Sequence, residues 1–136
     1  MDMAISEIRP GASSADIVKH FPKATDIGFS SEEEAFGLQY CHGIGVGLWE
    51  TPLMSRYHSF EHPLVLEEGM VFAIETYWPS KDGSAAARIE EEIHVTADGP
   101  RLLTKCPAQE LLVAGQRYWN GFTFVNGANE LPGPSR

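Results

Sequence analysis

The chain is poor in cysteine, in positive charge and in long apolar runs, and each shortage excludes a class of protein. Cys41 and Cys106 are its only cysteines, too few for a disulfide scaffold, and two isolated thiols point to a reducing compartment. Lysine and arginine number 10 against 19 aspartates and glutamates, for a formal net charge of -9. The basic residues do not cluster, which excludes a nucleic-acid groove, because phosphate binding draws on Lys and Arg. No segment approaches the ~20 apolar residues needed to cross a bilayer. Met1 to Glu7 carries neither the basic nor the apolar region of an export signal. These absences predict a soluble, cytoplasmic protein with no membrane or nucleic-acid partner.

What remains is enough for one core. At 136 residues, 43% hydrophobic and with 7 Phe, 4 Tyr and 3 Trp, a single folded domain is expected. Met3 to Ile8 reads as a short helical end stopped by Arg9-Pro10-Gly11. Ser13 or Ser14 can cap a second helix through Ala15 to Phe21, ended by Pro22. Residues 24–37 read as loop, with one turn at Glu32-Glu33-Glu34. Gly43, Gly45 and Gly47 alternate with Ile44, Val46 and Leu48, a weak strand open to close approach by a backbone or ligand. A loop is expected from Thr51 to Pro63, carrying Pro52, His58 and His62. Strands follow over 70–77 and about 86–96, then a short one at Leu102-Leu103. Pro107 to Val113 reads as a helical turn or an edge strand. Beyond Gly115 the glycines and prolines of the last ten residues predict an extended or partly disordered tail.

Asp82-Gly83 is a hairpin signal, because a two-residue type I′ turn needs positive φ at both positions. A turn centred there places Glu75 directly opposite Glu90, with Cβ atoms roughly 4.5–5.5 Å apart, where like charges repel. A shared proton, a basic neighbour or a bound cation must relieve that repulsion. The pleat puts Val71, Ala73 and Glu75 on one face and Phe72, Ile74 and Thr76 on the other. On the second strand Arg88, Glu90, Glu92 and His94 share a face, and Ile89, Glu91, Ile93 and Val95 share the opposite one. A carboxylate interrupting an apolar strand, opposed by another, points to a metal site. His42 could add a nitrogen donor, a His-plus-two-carboxylate set suited to Mn, Fe, Co or Zn.

At these residues the chain resembles the pita-bread metallopeptidases: methionine aminopeptidase, aminopeptidase P, prolidase and relatives such as creatinase. Cys41-His42-Gly43-Ile44-Gly45-Val46-Gly47-Leu48-Trp49-Glu50-Thr51-Pro52 is similar to that family's G-H-G-I-G-x-x-x-H-E-x-P. Leu66 to Glu75 resembles L-x-P-G-M-V-F-T-I-E, and Arg88 to Gly99 resembles R-I-E-D-D-V-x-V-T-x-D-G. Ile8-Arg9-Pro10-Gly11-Ala12-Ser13 is similar to I-R-P-G-x-T. The match runs over roughly residues 5 to 114. It implies an α+β fold, the C-terminal half of a pita bread: a curved antiparallel sheet with flanking helices. The expected division is a partial catalytic domain over 1–115 and a tail over 116–136. By the same resemblance His42, Glu75 and Glu90 would be direct ligands of a divalent metal, with Glu90 bridging two ions. Glu75 would also position the attacking water as general base, and Arg88 would steady the site.

The pattern breaks in three places. The family's two aspartate ligands lie upstream of the I-R-P-G helix, a region that would precede residue 1, so the expectation is at most a single weakly bound ion. Trp49 stands where peptidases carry a substrate-contacting histidine, and an indole can neither accept a hydrogen bond nor take a proton. Trp49 and the nearby His58 are the candidate substrate-binding residues. Thr76-Tyr77 replaces the usual P-G, and Glu68 replaces a proline. The resulting expectation is a metal-dependent hydrolase of the aminopeptidase P or Xaa-Pro peptidase type, truncated and inactive or weakly active alone. Its substrate would be a small peptide or related small molecule. The alternative is a non-catalytic homologue acting as a binding or assembly module. Half of a two-part fold exposes apolar surface, so a homodimer or a partner chain is expected.

Overall fold

A computed structural model of the chain describes residues 1–35, 39–106 and 108, together with the backbone of two short strands at 117–119 and 124–126. The chain forms two compact units, residues 1–103 and 104–136.

The first unit begins with helices α1 (Asp2–Ser6) and α2 (Ser14–Val18). Ser13 caps α2, its Oγ accepting from the Ala15 amide at 3.2 Å. The helix is shorter than the apolar spacing predicts. From His20 the amides bond to carbonyls three residues back, at His20–Ile17 and Phe21–Val18, the tighter winding common at helix ends. A 3-10 turn follows at Ala24–Ile27. Then come strand β1 (Cys41–Gly43), β2 (Glu50–Met54), the single-turn helix α3 (Arg56–Ser59) and β3 (Val71–Glu75). Next are β4 (Trp78–Pro79), β5 (Ala86–Ala87), β6 (Glu90–Thr96) and β7 (Gly99–Leu102). Strands β2-β1-β3-β6-β7 form one antiparallel sheet in that order.

The strand expected over 86–96 divides into β5 and β6, and the one expected at Leu102-Leu103 starts earlier, as β7. Two further stretches differ from the sequence expectation. The glycine-alternating segment is strand only as far as Gly43. There the Thr51 carbonyl oxygen comes within 2.3 Å of where a Cβ would stand, and the pairing with β2 shifts register. The expected loop after Thr51 is instead β2 and α3. Pro52 hid the strand, since proline cannot donate to a ladder, but β2 is at the sheet's edge, where that loss is tolerated.

The hairpin register agrees with expectation: Val71 opposes His94, Ala73 opposes Glu92 and Glu75 opposes Glu90. Its turn does not. The Gly83 amide donates to the Ser80 carbonyl, and the Ser80 amide to the Ala85 carbonyl, so the bond that closes the turn encloses residues 81–84 rather than two residues. Gly83 supplies the positive φ of 69°. The Asp82 carboxylate ties the turn by accepting from Ser80 Oγ, Ser84 Oγ and the Ser84 amide.

One face of the sheet is the core. Cys41, Met54, Phe72, Ile74, Ile93 and Val95 pack there with Ala4 and Ile8 of the first helical segment and Ile17, Val18 and Phe21 of the second. Phe21 stacks on Tyr40 at 4.3 Å. Burial pushes the Cys41 thiol far above the ordinary range, and both cysteines are free. Among the described residues no helix is long and apolar enough to cross a membrane. In the second unit β8 (Arg117–Trp119) pairs with β9 (Phe124–Asn126). The turn or strand expected over 107–113 lies outside the described residues, apart from the single position 108, as does most of the expected tail.

Arg56 joins the connecting segments. Its Nε donates to Glu32 Oε1 at 3.1 Å, and one terminal nitrogen donates to the Val18 and Phe21 carbonyls, each at 3.3 Å. Its guanidinium lies 5.0 Å from the Phe60 ring centroid. Removing this charged donor strands several acceptors, so Arg56→Ala should lower stability by about 2 kcal/mol. Urea denaturation measures this, and an unchanged midpoint would refute the role.

Candidate metal and substrate site

The sheet face opposite the core carries the polar residues. Cross-strand pairing sets Leu53, His42, Ala73 and Glu92 in one row, with Glu75 and Glu90 in the next. Neighbours in such rows share a face because strand side chains alternate. His42 and Glu75 are each only 4% exposed, whereas Glu90 and Arg88 are exposed.

Two protein groups address the Glu75 carboxylate. Arg88 donates from a terminal guanidinium nitrogen to Oε2 at 2.5 Å. His42 Nε2 lies 3.7 Å from Oε1. Burial is the main influence on Glu75 and raises its carboxyl above the ordinary range; Arg88 and His42 work against the rise, and Glu90 adds to it. The repulsion expected across the Glu75–Glu90 pair is thus relieved by Arg88 on one carboxylate and by solvent at the other.

Arg88 is itself held in place. The Thr76 amide donates to the Ile89 carbonyl at 2.9 Å, and the Ile89 amide donates to Thr76 Oγ1 at 3.1 Å. This bracket fixes the backbone beside Arg88, whose guanidinium also lies 5.8 Å from the Tyr77 ring centroid. Proline at 76 could not donate that amide, and glycine at 77 would offer no ring. Thr76 and Tyr77 were visible in the sequence only as departures from a motif. Their task emerges from the register.

Whether a cation suits these residues can be tested on the His42 ring. Nδ1 lies 3.3 Å from the Gly43 carbonyl oxygen, which can only accept, so Nδ1 donates there and Nε2 is left as an acceptor. An acceptor nitrogen then faces a carboxylate oxygen at 3.7 Å, an opposition that a proton or a cation resolves. Donors bound to one ion at about 2.1 Å stand roughly 3–4 Å apart, so the pair fits a single ion. It does not make a complete centre: among the described residues no three His, Cys, Asp or Glu groups are placed to hold a metal.

Of the other candidates, Trp49 lies against the imidazole, with ring centroids 5.7 Å apart. His58 stands on α3. It lines a cleft with Thr51, Leu53, Glu61 and His62, and Leu53 is the cross-strand partner of His42.

The sequence profile of metallopeptidase family M24 matches residues 1–97. A methionine aminopeptidase from Mycoplasma capricolum is 32% identical over 124 residues, covering 77% of this chain and 47% of that protein. The crystal structure of dipeptidase PepE from Mycobacterium ulcerans superposes with a TM-score of 0.57 at 28% identity, over 79% of this chain and 27% of that one. The Xaa-Pro dipeptidase from Bacillus anthracis gives a TM-score of 0.56, also at 28% identity, over 76% and 27%. The chain spans less than half the length of each. Its antiparallel sheet and helices are therefore part of a pita-bread peptidase fold. By profile, motif order and fold, the chain belongs to metallopeptidase family M24.

Proposed function

We propose that this chain carries part of the catalytic centre of a metal-dependent hydrolase of the aminopeptidase P or Xaa-Pro peptidase type, cytoplasmic and acting on small peptides or related small molecules. The observation that carries the reading is the buried His42 imidazole facing Glu75 across 3.7 Å, with Glu90 directly opposite Glu75. His42 and Glu75 would hold a divalent ion (Mn, Co, Fe or Zn), and Glu90 would join them only after its exposed side chain rotates toward the pair. When bound, such an ion lowers the pKa of a water and polarises a carbonyl. Glu75 would take the proton of that water, a task suited to a carboxyl raised by burial. Arg88 would keep the carboxylate oriented, and Trp49 and His58 would contact the substrate.

The donor set is short of a two-metal centre, so we infer that the chain alone is inactive or weakly active. Further carboxylates would come from a longer polypeptide, a partner chain or a second copy. The absence of a three-donor group among the described residues favours a second reading, a non-catalytic family member serving as a binding or assembly module. Val46, Leu48 and Trp49 are all largely exposed beside the site, an apolar surface that suits either form of pairing.

Titration with Mn²⁺ in a calorimeter separates the two readings. The expected result is one weak event per chain, lost in Glu75→Ala and weakened in Glu90→Ala. Two tight sites would overturn the incomplete centre, and an isotherm unchanged by both substitutions would remove the ligand assignment. Size-exclusion chromatography with light scattering should show a dimer at micromolar concentration; a clean monomer counts against pairing.

The raised Glu75 carboxyl also has a sign that can be checked. In the metal-free chain the folded state holds this proton more tightly than the unfolded one. The charged form therefore costs stability above the raised value, and that cost is relieved as pH falls toward the ordinary carboxylate range. Glu75→Gln should be at least as stable as the parent at neutral pH, its advantage shrinking on acidification. Urea midpoints at several pH values measure this, and an advantage that grows in acid would contradict it.

A further inference from the structure

We propose that His58 and His62 form a separate binding site for a late first-row divalent ion such as Ni²⁺, Cu²⁺ or Zn²⁺, on the cleft beside β2. The two histidines are four residues apart. The His62 amide donates to the His58 carbonyl at 2.8 Å, closing one further turn just past the end of α3. That turn brings the two side chains together, at the i, i+4 spacing with which paired histidines take zinc. Their ring centroids stand 5.0 Å apart, inclined at 41°, close enough for one ion to reach a nitrogen of each ring after small side-chain rotations.

The surroundings favour a cation. Both rings are exposed, so no buried partner must be displaced. Glu61 lines the same cleft and adds negative charge beside the pair. His58-Ser59-Phe60-Glu61-His62 also has the H-x-x-E-H spacing in which some zinc hydrolases combine two ligating imidazoles with a carboxylate. The cation of α3, Arg56, is engaged with Glu32 and two backbone carbonyls and does not compete for the cleft. Two protein donors leave coordination positions open to water or to a donor on a bound molecule.

This site differs from the His42–Glu75 pair in residues and in ion preference. Imidazole donors favour Ni²⁺ and Cu²⁺, whereas carboxylate and water donors suit Mn²⁺. It shares His58 with the proposed substrate contact but no residue with the proposed hydrolase metal ligands, so failure of one reading is distinguishable from failure of the other.

The test is calorimetric titration of the full chain with Ni²⁺, comparing parent, His58→Ala, His62→Ala and His42→Ala, with circular dichroism to confirm folding. Binding is expected to fall about tenfold or more in each of the first two variants and to persist in His42→Ala. Ni²⁺ binding that survives loss of His58 and His62, or that disappears in His42→Ala, overturns the proposal. A parent chain that binds no Ni²⁺ does so as well, and leaves the pair as solvent-facing histidines only.

Discussion

The pairing of β3 with β6 is the constraint on which the site depends. A strand's side chains alternate between faces, so a slip of one residue would exchange the core row for the polar row along the whole strand. Phe72 and Ile74, with Ile93 and Val95, are fully buried on the helix side. That burial, at about 25 cal/mol per Å² of apolar surface, is what forces Glu75 and Glu90 to meet on the other side. The like-charge contact is a consequence of packing, tolerated because Arg88 and solvent answer it.

The polar face is assembled from elements distant in the chain. His42 comes from β1, whose pairing with β3 places it across from Ala73, which shares a face with Glu75 two residues on. Gly43 ends that strand where the backbone of β2 comes too near for any side chain. Trp49 returns from the intervening loop to lie on the imidazole. On the far side Thr76 and Tyr77 settle Arg88. The result is a buried carboxylate whose two oxygens face a guanidinium and an imidazole, electrostatically balanced even without an ion.

Relation to the M24 peptidases explains why this geometry exists and sets a boundary on what it does. The profile, the relatives and the superposed structures agree on fold and ancestry. The chain matches less than half the length of each relative described, and a fold shared by many chemistries does not assign one. The departures at Trp49, Thr76 and Tyr77 fall around the site rather than in the core, where a change of substrate would be accommodated.

Much was legible from residue order alone. The period-two pleat assigns the faces of 71–75 and 90–96, and Asp82-Gly83 assigns the register, because both follow from local backbone geometry. The length of the turn does not follow from the dipeptide, since the pairing survives a longer loop. Strand β2 was missed, since Pro52 signals a break unless the strand is known to lie at an edge, and an edge is a property of the sheet. Nor does sequence spacing reveal that Arg88 bonds to Glu75, or that Glu90 is exposed while Glu75 is buried. Those depend on which strands become neighbours and how deep each residue lies, and only long-range packing decides both.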